Sequence, residues 1–205
     1  MFRVLRCGDT GLLLEFGDLA LVRRMYAALA EAPPAGTIDL VPAATTLLVR
    51  YDPSRTDPSR LERELRSTTP NAELAPASAL VQVPVRYDGA DLDAVAEHTG
   101  LTRSELIEAH TGREWTVAFG GFSPGFAYLA DGDPRLAVPR RPESRTKVPP
   151  GAVGLAGGFS AIYPRASPGG WQLIGQTDLS VWEIHRDPPA LLVPGTRVKF
   201  VKAGR

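Results

Sequence analysis

The chain has 205 residues, 43% of them apolar and 22% charged, with a formal net charge of zero. That length is enough to bury a core without disulfides or a structural metal, and the charge balance removes any electrostatic case for nucleic acid or an anionic membrane. Cys7 is the single cysteine, which excludes an internal disulfide and a multi-cysteine metal site.

No run approaches the ~20 apolar residues of a membrane-spanning helix. No apolar leader follows the first basic residues, so a cytoplasmic protein is expected. Residues 2–6 and 12–16 read as short strands around a glycine turn. Asp18 stands where a helix cap belongs, and Val22, Met25, Tyr26 and Leu29 follow at i, i+3, i+4 and i+7. Pro33 and Pro34 stop that helix. Residues 37–41 and 45–51 read as a strand pair, and Asp57-Pro58 opens a second helix with its cap and first-turn proline. The order ββαββα predicts a small α+β domain over residues 1–77, with 71–78 as a linker.

The second half, residues 78–205, has different punctuation. Val81, Val83 and Val85 alternate with polar residues and Pro84, which suggests an edge strand. Helices are expected over 91–99, ended by Gly100, and over 102–111, where Thr102 and Glu105 form a capping box. A strand at 115–119 follows. From 120 to 175 the chain holds 11 Gly and 8 Pro. Such density favours short strands joined by tight turns, as in a β-barrel.

Three motifs in this half fail on inspection. Residues 121–125, GFSPG, match the G-x-S-x-G elbow, and His185 with Asp178 or Asp187 would complete a triad. The elbow uses the backbone N–H of the residue after its serine for the oxyanion hole. Here that residue is Pro124, which has none. The run GAVGLAGG at 151–158 lacks the lysine of a P-loop and reads as a β-turn in a barrel. His98, His110 and His185 have no helical ligand spacing, so no metal site is expected. His110, near a helix end, either offsets the helix dipole or contacts a ligand.

One ordered series carries more weight. GFSPGFAY at 121–128 is followed by PRLAVPR at 134–140, RTKVPPGAVGLAG at 145–157, IYP at 162–164 and SPGGWQLIGQT at 167–177. With Pro194-Gly195 and residues 198–200, this series resembles the KipI/PxpB family of 5-oxoprolinase B-subunits, also described as allophanate hydrolase subunit 1 or a carboxyltransferase-domain subunit. Departures are small: Pro150 stands where Ala is usual, Ser144 where Pro is common, and Ala161 where Gly is common.

The resemblance implies an α+β domain followed by a mostly β, cyclophilin-like β-barrel. It implies a chain inactive alone, working with a larger KipA-like C-subunit and a LamB/YcsF-like A-subunit. This chain and the C-subunit as a pair resemble the carboxyltransferase half of urea carboxylase, and with the A-subunit the set hydrolyses 5-oxoproline to glutamate with ATP. No cofactor is expected on this chain alone, with ATP entering at the level of the complex. A different branch implies a binding module that inhibits a sensor histidine kinase.

The residues themselves are compatible with the first reading. Opening a lactam or moving a carboxyl group requires stabilising a developing anion. Arg140, Arg141, Arg145 and Lys147 place four cations in eight residues. Arginine takes a carboxylate through two parallel hydrogen bonds. Arg140, Arg145, Lys147, Trp171, Gln172, Gln176 and His110 are the candidate contacts for a small acid, with Trp171 a core or pocket wall. Gly125, Gly151, Gly169 and Gly170 are expected to shape the backbone. Phe122, Phe126 and Tyr128 are expected in barrel or interface packing.

Overall fold

Two aspartates start the helices of the first part of the chain. Asp18 accepts a hydrogen bond from Leu21 N at 2.8 Å and opens α1 (Leu19–Glu31). Asp57 accepts from Ser59 N and Arg60 N, both at 2.9 Å, and opens α2 (Pro58–Ser67). The computed structural model describes residues 2–70 and 80–204, and the chain divides into two units, Met1–Pro76 and Ala77–Arg205. The expected linker at 71–78 lies outside the described residues.

In the first unit, β1 (Arg3–Arg6), β2 (Gly11–Glu15), β3 (Thr37–Pro42) and β4 (Thr46–Tyr51) form an antiparallel sheet in the order β1-β2-β4-β3. Leu12, Leu14, Leu47, Val49 and Tyr51 turn one face of the sheet inward. Val22, Met25 and Leu29 of α1 and Leu61 and Leu65 of α2 cover that face, each fully buried. The helical period of 3.6 and the strand period of 2 thus converge on one core.

The second unit holds β5 (Leu80–Val85), α3 (Leu92–Thr99), α4 (Arg103–Gly112), β6 (Trp115–Gly120), β7 (Ala127–Ala130) and a 3-10 turn at Pro134–Leu136. Then come β8 (Arg145–Val148), β9 (Ala152–Ala156), β10 (Phe159–Ile162), β11 (Ser167–Gly169), β12 (Gln172–Gln176) and β13 (Arg197–Lys202). Seven strands form one sheet in the order β12-β9-β10-β7-β6-β13-β5, and β8 pairs separately with β11. The sheet is mixed because β5 runs parallel to β13. Just past β5, Arg86 bridges to Gln176 of β12, so the sheet is a nearly closed barrel. Closure leaves few free strand edges.

Inside the barrel, Val83, Val85, Val117, Leu129, Val153, Leu155, Ile162, Ile174 and Phe200 share a core with Leu92 and Val95 of α3 and Leu106 of α4. The helices therefore pack into the barrel interior, as their apolar stripes require. The run 151–158, expected as a β-turn, is instead strand β9 between two turns, and all five residues of that strand are buried. Val153 and Leu155 face the barrel core, while Ala152 and Ala156 join a second cluster with Phe126, Val148, Tyr163, Trp171 and Leu173. Small residues occupy the second face because space is short there: a side chain at Gly154 would approach Trp171 Cβ at 3.2 Å. Among the described residues no helix is long and apolar enough to cross a membrane.

Candidate functional site

The basic segment 140–147 enters β8, which pairs with β11 so that Arg145 lies opposite Gly169. Upstream, Arg141 N donates to Gly170 O at 2.8 Å. The two segments singled out in the sequence, 145–147 and 167–177, are hydrogen-bonded neighbours. A bulge between Ser167 and Gly169 shifts their register.

A residue from outside both segments organises their contact. Asp91, at the start of α3, is 3% exposed. One carboxylate oxygen, Oδ1, accepts from Arg141 Nη1 and from Arg145 Nη2, each at 2.7 Å. The other, Oδ2, accepts from Leu173 N of β12, also at 2.7 Å. Burial alone would push this carboxyl up. The Arg145 hydrogen bond, the Leu173 amide and the charges of Arg145 and Arg141 outweigh that and hold it below the usual carboxylate range. Two guanidiniums share one carboxylate, so positive charge is in excess. Arg145 Nη1 and Arg141 Nε are buried and face no acceptor. Buried donors of this kind ordinarily have a partner.

Arg140 is exposed, and its guanidinium lies over Gly170, where an added Cβ would sit 3.5 Å from Nη2 and 2.9 Å from Ser144 Oγ. A Cβ at Gly169 would lie 2.3 Å from the Tyr163 hydroxyl. Gly169 is therefore required by the close approach of the Tyr163 ring, whereas a methyl group at Gly170 would need only the Ser144 hydroxyl to turn away. Burial pushes the Tyr163 hydroxyl up, partly countered by a hydrogen bond from the Trp171 amide and by the charges of Arg140 and Arg145. Trp171 is buried edge-on against Phe126 and Tyr128, both at 5.5 Å between ring centroids. It belongs to the aromatic core cluster that also holds Tyr163.

The remaining candidates divide. Lys147 is exposed on β8. Gln172 Nε2 donates to Pro139 O at 3.3 Å and Gln176 Nε2 to Pro150 O at 3.4 Å, so both amides tether loops. Gly151, with φ +78°, turns the chain from β8 into β9, and a Cβ there would meet Thr177 O at 2.1 Å. Gln176, Gly151 and Tyr163 also line an open cleft of about 370 Å³ with Pro164 and residues 177–181. Gly125, with φ +81°, belongs to a different loop and packs on Trp182.

His110 does not join the arginines. It is fully buried in the barrel interior, stacked on Phe200 at 4.2 Å. Its ring nitrogens meet Tyr87 Oη at 2.8 Å and Ser160 Oγ at 3.0 Å. Burial pushes its pKa down to about 3, so it is a neutral core histidine. The GFSPG serine has no base beside it: Ser123 Oγ is buried without a hydrogen-bond partner, and His185 is exposed. In the same loop Phe122 has φ +63° at the centre of a turn closed by Ser123 N to Gly121 O at 2.6 Å. That strained turn holds the ring 58% exposed, edge-on to Phe126 and Tyr163.

Sequence reasoning does not single out Asp91. It is legible only as the first residue of the helix expected over 91–99, and nothing local marks a partner fifty residues away. Tyr163 is visible as part of the IYP element, though not its role beneath Gly169.

Comparison with known proteins places these features. The family "Carboxyltransferase domain, subdomain C and D" matches residues 2–192. The 5-oxoprolinase B-subunit of Escherichia coli O157:H7 is 38% identical over 95% of this chain and 93% of its own length. The crystal structure of TTHA0988 superposes with a TM-score of 0.80 at 40% identity, covering 100% of this chain and 41% of that one. The chain therefore spans about two fifths of that longer protein. The Kluyveromyces lactis urea amidolyase shares the fold, with a TM-score of 0.75 at 21% identity over 98% of this chain and 15% of that one. The chain belongs to the carboxyltransferase-domain (subdomain C and D) family, among the 5-oxoprolinase B-subunits.

Proposed function

We propose that this chain is the B-subunit of an ATP-dependent 5-oxoprolinase, which converts 5-oxo-L-proline to L-glutamate. It works in the cytoplasm with a KipA-like C-subunit and a LamB/YcsF-like A-subunit, and ATP is used by the complex. The near full-length likeness to a 5-oxoprolinase B-subunit supports the reading at the level of the family. At the level of the site, one observation carries it: Arg141 and Arg145 share the single carboxylate of Asp91, which leaves excess positive charge on an Arg145 side chain that stays 22% exposed.

The substrate is a small ring acid with one carboxylate and one lactam. Arg145, with Arg140 beside it, is suited to the carboxylate through charge-assisted hydrogen bonds. Water attack on the lactam carbonyl puts negative charge on its oxygen, which a cation-rich surface stabilises. Trp171 and Tyr163 back this surface with a rigid apolar wall, and Gln172 and Gln176 hold the flanking loops. Lys147 adds an exposed cation on the approach. The nearly closed barrel with helices packed into its core supports assignment to the cyclophilin-like barrels. The division at about residue 77 makes that barrel a separate domain.

Co-expression with homologues of the C- and A-subunits tests the reading. A complex should co-elute and hydrolyse ATP only when 5-oxoproline is present, while this chain alone should be inert. Turnover by the isolated chain, or an assembled complex indifferent to 5-oxoproline, would overturn it.

A further inference from the structure

We infer that Asp91 is the positioning residue of the acid-binding site, aiming Arg145 at the substrate carboxylate. This rests on the reading of Arg145 as a carboxylate contact and adds a residue that no motif of the chain indicated.

Asp91 stands in the cap position of α3, yet its side chain makes no capping bond, and its backbone sits at φ −111°, ψ 7°. An aspartate there ordinarily accepts from the second or third helical N–H. Its carboxylate is directed elsewhere, and both oxygens are committed. The backbone of Asp91 donates to Leu173 O at 2.9 Å while Oδ2 accepts from Leu173 N. That two-way link clamps the carboxylate to β12 of the barrel sheet. From this anchor Oδ1 holds Arg141 and Arg145 together, 50 and 54 residues further along the chain.

The consequence for Arg145 follows from the shape of its side chain. A guanidinium is planar, so the bond from Nη2 to Asp91 restricts how the whole group can turn. Nη1 is buried, while the side chain as a whole stays 22% exposed, so Asp91 sets which edge of the group meets a ligand. Arg141 on the same oxygen supplies a second cation, so the single carboxylate does not cancel the positive charge offered to a ligand. A buried charge pair is weak evidence for stability. Its distinctive effect here is orientation, and orientation of a binding group governs substrate affinity more than the chemical step that follows.

The test uses the reconstituted complex with 5-oxoproline as the varied substrate. Asp91→Asn should raise KM about tenfold or more while kcat stays within about threefold, as expected when a binding group is misaimed. In an Arg145→Ala background the same substitution should add nothing further to KM. Asp91→Glu keeps the charge but moves the guanidinium by one methylene, and it should raise KM in the same direction on a folded chain. It thus covers the case in which the asparagine variant does not fold. If both Asp91 variants lower the melting temperature but leave KM within about twofold, while Arg145→Ala raises it, Asp91 is a structural ion-pair residue and the inference is wrong. If Arg145→Ala itself leaves KM unchanged, the acid-site reading fails and the inference falls with it.

Discussion

Arg86 and Gln176 exchange both backbone hydrogen bonds, N–H to O at 2.8 Å in each direction. This bridge lies just past β5 and joins it to β12, the opposite end of the seven-strand order. Arg86→Pro should remove one of the two donors, leave the Gln176 carbonyl unpaired and open the barrel seam, lowering stability by about 1–3 kcal/mol. Hydrogen exchange at the Gln176 amide should accelerate. Arg86→Ala keeps the backbone bridge and loses only the exposed ion pair with Asp178, so its melting temperature should stay near wild type. Equal melting curves for the two variants would show that the seam contributes nothing.

A second expectation concerns acid. His110 has a folded-state pKa of about 3 against an ordinary value of 6.5, because burial disfavours its cation. Between those values the unfolded chain binds the extra proton. Stability is therefore complete above pH 6.5 and declines as pH falls toward 3, by at most about 1.4 kcal/mol per pH unit from this residue. Urea midpoints at about pH 7 and about pH 5, either side of the ordinary histidine value, should differ more in wild type than in His110→Gln. The comparison between the two proteins separates this contribution from the carboxylates, which titrate lower.

Arg145→Ala should weaken use of 5-oxoproline by the complex roughly ten- to a hundredfold, the scale of a lost charge-assisted hydrogen bond at about 1.5–3 kcal/mol. Asp91 keeps Arg141 as a partner in that variant, so folding should survive. Lys147→Ala should act in the same direction by a smaller factor, given its exposure. Steady-state kinetics with unchanged melting temperature is the measurement.

Ser123→Ala should leave the activity of the complex within a few fold. The hydroxyl is buried and unpaired, so its loss should also leave stability unchanged or slightly improved. A drop on the order of a thousandfold in kcat, the scale of a deleted nucleophile, would restore the serine-hydrolase reading.

Gly169→Ala should drive its methyl group into the Tyr163 hydroxyl, 2.3 Å away, and disturb the pairing that sets Arg145 opposite Gly169. Overpacking of this kind costs about 1–3 kcal/mol. Adding Tyr163→Phe removes the obstructing oxygen and should recover part of the loss. A Gly158→Ala control, with nothing within 4 Å of the new methyl, should be near neutral. No rescue in the double variant would mean that another contact excludes the side chain.

Much of the architecture is local in origin, and the sequence determined it by itself. Asp18, Asp57 and the Thr102–Glu105 box mark helix starts because a cap side chain satisfies N–H groups only two or three residues away. Val81, Val83 and Val85 reveal a strand by their spacing, and the ordered glycine and proline motifs identify the family. Other features belong to the tertiary structure. β9 reads as a turn because small residues favour turns, whereas here Ala152, Gly154 and Ala156 are small to fit beneath Trp171. His110 reads as a possible ligand contact until Tyr87, Ser160 and Phe200 close around it. Asp91 is legible only as the first residue of the helix expected over 91–99, and only the folded barrel brings Leu173, Arg141 and Arg145 to its carboxylate. Short-range hydrogen bonding is written in neighbouring residues. Burial and long-range charge pairing depend on which distant segments the closed sheet sets side by side.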